Sequence, residues 1–172
     1  RDPSQTHQRE FAKRVARLAT AGVPVFLLVG NHDLPHAAYK ATAVEIFDTL
    51  QVPHLTLGDS LRNYIVSTKR GPLQVLAVPW PRLSTLLGRE ETRGLSIEEV
   101  RHEIERRMTN GIESLARELD PKVPAILTGH VMVNGATVGT ERSMMLGRDH
   151  VLLASALHRP QVDYVALGHV HK

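Results

Sequence analysis

The stretch Val23-Pro24-Val25-Phe26-Leu27-Leu28-Val29-Gly30-Asn31-His32-Asp33 decides the fold class. From Val23 to Val29 it is almost wholly apolar. Residues 6–21 before it read as an amphipathic helix: Phe11, Val15 and Leu18 recur at helical spacing, with Ala12 and Ala19 beside them. Gly22 is a natural stop for that helix. An apolar run that follows a helix reads as a parallel strand buried on both faces. Gly30-Asn31-His32-Asp33 then stands where such a strand ends.

The same grammar continues outward. Residues 41–50 suggest a second helix, with Val44, Phe47 and Leu50 on one face. Leu61–Thr68 and Leu73–Trp80 alternate apolar and polar positions around Lys69-Arg70-Gly71-Pro72, the pattern of a β-hairpin that Pro79 and Pro81 end. Ser96-Ile97-Glu98-Glu99 is a capping-box signature. The helix behind it keeps its period from Ile97 to Leu119, with Asn110-Gly111 as a candidate bend or break. Two further apolar runs, Pro124–Leu127 and Tyr164–Leu167, lead into Thr128-Gly129-His130 and Gly168-His169-Val170-His171. Helices alternating with apolar strands predict an α/β domain with a substantial parallel component.

Three runs therefore end alike, in Gly followed by a His-bearing turn. Sites in open α/β sheets form at the carboxyl ends of strands, and Gly lets the chain turn there at no steric cost. Asn31, His32, His130, His169 and His171 are thereby expected to converge. Imidazoles and a carboxamide oxygen, without thiolate, suit divalent ions such as Mn, Fe or Zn. A pair of such ions about 3.5–4 Å apart can clamp a phosphoryl group for in-line attack. The other His, at 7, 36, 54, 102, 150 and 158, match no motif and read as surface or structural residues. Met144-Met145 reads as core filling, Arg82, Arg89, Arg93 and Arg101 as a solvated helical face, and Trp80 as packing between hairpin and sheet.

Composition sets the outer bounds. The length of 172 residues and a hydrophobic fraction of 42% suit one domain or most of one. There is no Cys, which excludes disulfides, thiolate metal sites and a Cys nucleophile. A cytoplasmic location fits that usage. No apolar run approaches a membrane span and nothing resembles a signal peptide, so no membrane partner is expected. The net charge of +3, from 21 basic and 18 acidic residues, is compatible with nucleic acid without arguing for it.

In this order, Gly30-Asn31-His32-Asp33, Gly129-His130 and Gly168-His169-Val170-His171 resemble the third, fourth and fifth motifs of the calcineurin-like metallophosphoesterases. More narrowly, the chain resembles the SbcD-type DNA repair exonucleases. That likeness runs through Arg1-Asp2-Pro3-Ser4, the segment Thr6–Phe11, Val78-Pro79-Trp80-Pro81-Arg82, and Val133-Asn134-Gly135-Ala136 behind Gly129-His130. It covers essentially the whole chain. The resemblance implies a sandwich of two mixed sheets flanked by helices. It implies that Asn31, His130 and His169 are ligands of one metal and His171 a ligand of the other. His32 becomes the catalytic His over the phosphate, with Asp33 orienting it.

What the resemblance implies for function is phosphodiester hydrolysis on DNA, by water activated at a site of two divalent ions, most readily Mn. The implied partner besides DNA is an SbcC-type SMC-like ATPase. A phosphatase or small-molecule phosphodiesterase on the same site is the alternative within enzymes, and a non-catalytic module binding DNA or a partner is the alternative outside them. The family's first motif, an Asp-x-His after the first strand, has no counterpart in this reading. Its second motif, a Gly-Asp whose Asp bridges the metals, falls upstream of Arg1, and Asp2 is no match for it. Residues 1–172 are accordingly expected to form a partial nuclease domain that lacks its first strands and N-terminal ligands and is inactive alone. Its unpaired sheet side would invite self-association, as in a homodimer.

Overall fold

The structure, a computed structural model, describes residues 4–34, 41–82, 86–88, 90–134 and 151–170. The expectations for His171, Met144-Met145, Arg89, His36 and His150 lie outside the described residues.

Helix α1 (Gln5–Thr20) leads into β1 (Val25–Leu28), α2 (Glu45–Thr49) and β2 (Leu55–Gly58). The hairpin is β3 (Arg62–Thr68) and β4 (Gly71–Val78), followed by α3 (Ile97–Arg117) and β5 (Ala125–His130). Short β6 (Met132–Val133), β7 (Val151–Leu152) and α4 (Ala154–Leu157) precede β8 (Tyr164–Gly168). The result is a mixed α/β architecture with sheets flanked by helices, the class the sequence predicts. Among the described residues the strands form a four-stranded sheet of order β3-β4-β5-β8 and two parallel pairs, β1-β2 and β6-β7. Only the β3–β4 contact is antiparallel.

The alternation along β4 shows how the layers stack. Leu76 and Val78 point to one face of the large sheet, into a core with Ile104, Met108 and Ile112 of α3 and Leu127 of β5. Val75 and Ala77 point to the other face, where Phe26 and Leu28 of β1 pack against them. The β1-β2 pair thus lies over the four-stranded sheet as a second β layer, and Phe26 meets Tyr64 edge-on with ring centroids 5.2 Å apart. Each fully buried Ile or Leu in the α3 interface contributes about 1.5–3 kcal/mol relative to exposure. Contrary to expectation, β1 is only half-buried along its length, because it is sandwiched by the sheet on one face and partly covered on the other. Of the three apolar positions of α1, only Val15 is buried; Phe11 and Leu18 remain exposed.

Local signals locate the ends. Ser96 and Glu99 make the reciprocal capping box at the start of α3. Gly22 closes α1 at φ 66°, with amide bonds back to Ala19 and, from Val23, to Leu18. Helix α3 runs unbroken through Asn110-Gly111, and the glycine has a packing reason: a Cβ there would lie 2.7 Å from a Leu61 methyl. The hairpin turn is shorter than the sequence suggests, since Gly71 and Pro72 already pair with Thr68 and Ser67. Pro72 is tolerated because β5 joins β4 only from Gln74 onward, so no ladder needs its missing N–H.

Candidate metal centre

Parallel register carries the site. In the β5–β8 ladder His130 stands opposite Gly168, so His169 follows immediately beside it. Strand β1 ends next to β2 and is tied to the end of β4: the Val29 amide donates to Gly58 O at 3.0 Å and the Trp80 amide donates to Val29 O at 3.0 Å. The ends of β1, β2, β4, β5 and β8 therefore meet at one edge of the fold.

There the structure brings together Asn31, His130 and His169. His130 Nε2 lies 2.9 Å from Asn31 Oδ1, although the two residues are 99 positions apart. The His130 and His169 ring centroids are 5.2 Å apart. His169 is buried at 7% exposure, and its backbone sits at φ 92°. A non-glycine residue in such a region costs on the order of 1–3 kcal/mol and persists only where its surroundings hold it.

The glycines of the motifs serve a purpose different from the expected one. Neither Gly30 nor Gly168 has the positive φ that only glycine adopts freely; it is His169 that does. What the glycines provide is clearance for one imidazole. A Cβ on Gly30 would lie 2.7 Å from His130 Cε1, and one on Gly168 would lie 3.3 Å from His130 Nδ1. The His130 ring is thus flanked by two backbones at van der Waals range.

His32, next to Asn31, is exposed, and the turn that carries it is closed by Asp33. The Gly30 amide donates to Asp33 Oδ2 at 2.8 Å, and the Asp33 amide donates back to Gly30 O at 3.2 Å. The carboxylate that the resemblance places behind His32 thus shapes the whole Gly30–Asp33 turn. Sequence reading passed over the Gly-Asp that the chain does contain, Gly58-Asp59, at the end of β2. Its carboxylate accepts from the Ser60 hydroxyl at 3.0 Å and from the Tyr64 hydroxyl at 3.4 Å. Among the described residues no group of three or more His, Cys, Asp or Glu is spaced to hold a metal ion. The described cluster amounts to two imidazoles and one carboxamide.

Sequence reasoning also misplaced Trp80. The layer between the hairpin and the β1-β2 pair is filled by Tyr64, Val66, Val75 and Ala77 against Phe26 and Leu28, and Trp80 is not part of it. Trp80 packs instead on the imidazoles: its ring centroid is 4.7 Å from that of His169 and 6.2 Å from that of His130. The signal was present, since Trp80 also follows the end of a parallel strand, but without the Gly-His pattern it went unread. Of the arginines, Arg101 pairs with Glu98 on α3 at 3.2 Å, while Arg82 lines a cavity of about 90 Å³ beside Trp80. A wider groove of about 490 Å³ runs between α1 and α2, lined by Phe11, Phe47 and Leu50, and neither His130 nor His169 lines it.

The donor set fits one divalent ion in part. Two ligand atoms bonded at about 2.1 Å to one metal in adjacent positions stand about 3.0 Å apart. The 2.9 Å between His130 Nε2 and Asn31 Oδ1 matches that edge. Neutral nitrogen and oxygen donors suit borderline to moderately hard divalent ions.

Imidazoles and a carboxamide gathered at the ends of parallel strands, on a mixed sheet flanked by helices, place the chain in the class of α/β proteins with a strand-end histidine site. The family model of the calcineurin-like phosphoesterases matches residues 2–172. The chain belongs to that family, whose chemistry is metal-dependent hydrolysis of phosphoesters. Among the described residues no helix is long and apolar enough to cross a membrane.

Proposed function

We propose that this domain is the hydrolytic part of an SbcD-type DNA nuclease, acting on phosphodiesters of DNA. The observation that carries the site is the meeting of Asn31, His130 and His169 from three distant segments. These three would hold one divalent ion, with Mn the first choice and Fe or Zn the others, and His171 would serve a second. When bound, such ions supply charge for a phosphoryl group and an activated water. His32, exposed and next to Asn31 in the chain, would be the residue to protonate or stabilise the leaving oxygen. Asp33 holds the turn that presents it, through the Gly30 amide. His130 is kept in line by Gly30 and Gly168, so the donor edge with Asn31 is set before any ligand arrives.

The nuclease reading rests on Val78-Pro79-Trp80-Pro81-Arg82 and the segments around α1 that resemble that group. With it comes an SbcC-type ATPase as partner; a cytoplasmic location, on the absence of Cys, and self-association as a homodimer are proposed beside it. A phosphatase of the same family is the competing reading. The test is hydrolysis with Mn of a DNA duplex, a single strand and a small phosphomonoester by this protein. DNA cleavage should dominate, and DNA binding should weaken steeply as salt rises, because phosphate contacts release counterions. Turnover of the small ester alone, with DNA ignored at low salt, gives the phosphatase reading the case.

A further inference from the structure

We propose that Trp80 is the positioning residue of this site: its indole holds the His169 imidazole, and beside it the His130–Asn31 pair, in the arrangement that receives a divalent ion. The inference rests on the metal-site reading above.

Three observations carry it. The rings form a closed set: the indole lies at 4.7 Å from His169, tilted by 41°, and edge-on to His130 at 6.2 Å and 76°, while the two imidazoles are 5.2 Å apart. Contacts of this kind prefer tilted and edge-to-face geometry, so rotating one ring disturbs the other two. The platform is itself rigid. Pro79 and Pro81 bracket Trp80, which restricts its backbone, and its amide is bonded to Val29 O, one residue before Gly30. His169, in contrast, occupies a backbone region that a non-glycine residue rarely adopts, at φ 92°, and is buried. A strained residue needs neighbours that over-determine its position, and the indole is the large rigid one. The indole shares a small cavity with Leu61, Leu86 and Met108, and it also meets the two rings that the motifs supply.

Groups that orient metal-binding imidazoles change metal affinity by about 10–100-fold when removed. Trp80 is the sole Trp of the chain, so its signals report this site alone. In the wild-type chain, nuclear Overhauser contacts should link the indole protons to the His169 ring protons, whose resonances should carry the ring-current displacement of a stacked indole. W80L, of apolar character without an aromatic face, should abolish that displacement and weaken Mn binding measured by calorimetry by about 10–100-fold. W80F should retain most of both. Melting curves of all variants separate lost fold from lost positioning. Missing indole–His169 contacts in the wild type, or W80L binding Mn as tightly as wild type with unmoved His169 resonances, would overturn the proposal. Should the wild type bind no Mn at all, the metal reading fails, and the His169 resonances in W80L still decide whether Trp80 positions that ring.

Discussion

Replacing Gly30 by Ala should disable the metal site while leaving the fold standing. The added methyl would start 2.7 Å from His130 Cε1 and 2.9 Å from His130 Nε2. Carbon atoms in comfortable contact lie about 3.5–4.0 Å apart, so one of the two must retreat by roughly 0.8 Å or more. The backbone has little room, because Val29 is tied to both Gly58 and Trp80 and the Gly30 amide is held by Asp33. The ring is hemmed in on another side by Gly168, where clearance to a built Cβ is 3.3 Å, and by the His169 and Trp80 rings. The imidazole must therefore swing away from Asn31. Adding roughly 0.8 Å to the 2.9 Å separation takes it beyond hydrogen-bond range and beyond the tolerance of about 0.2 Å on a metal–ligand bond. Overpacking of this kind costs about 1–3 kcal/mol of stability. At this chain length that is a fall in Tm of a few degrees, about 2–4 °C per kcal/mol. Metal affinity should fall far more, and turnover by about 10²-fold, the cost of a misplacement near 1 Å. Calorimetric Mn titration beside a melting curve reads both effects. Wild-type Mn affinity in G30A, at unchanged Tm, would show that the His130 ring is free to move and that the clearance argument is wrong.

Other outcomes follow from the same geometry. His32→Ala should lower kcat by about 10²–10⁴-fold with Mn affinity little changed, whereas His169→Ala should weaken Mn binding first; kinetics and calorimetry on the pair would reveal a reversal of these roles. Gln74 is buried and its amide donates to Asp120 O and Val123 O while accepting from the Asp120 amide; Asp120 O keeps the Val123 amide as donor, so Gln74→Leu strands the Val123 carbonyl and the Asp120 amide and should cost about 1–3 kcal/mol, read from denaturant unfolding. Glu103, bonded by the Arg106 and then the Arg107 guanidinium, has its carboxyl lowered from 4.5 to about 2. Because the folded value is the depressed one, its contribution to stability is present above about 4.5 and is lost as pH falls toward about 2; Glu103→Gln should flatten the acid limb of Tm against pH in that window, and an unchanged limb would refute it.

How much was legible beforehand depends on whether the cause was local. The capping box at Ser96, the stop at Gly22, the hairpin and the apolar runs ending in Gly-His each follow from side-chain chemistry within a few residues, and sequence alone determined them. Order along the chain was enough to predict the α/β class and to mark Asn31, His130 and His169. Whether β1 is buried on both faces was not a local matter, because it depends on the layer it shares with the large sheet. Nor could sequence tell that Gly30 and Gly168 are glycines for the sake of His130, 100 and 38 positions away, since close approach between segments leaves no trace in either one. Trp80 shows the same divide. Its neighbours in the chain are prolines, and its neighbours in space are the two imidazoles. Only the parallel register of β4, β5 and β8, which aligns the strand ends side by side, decides that they meet.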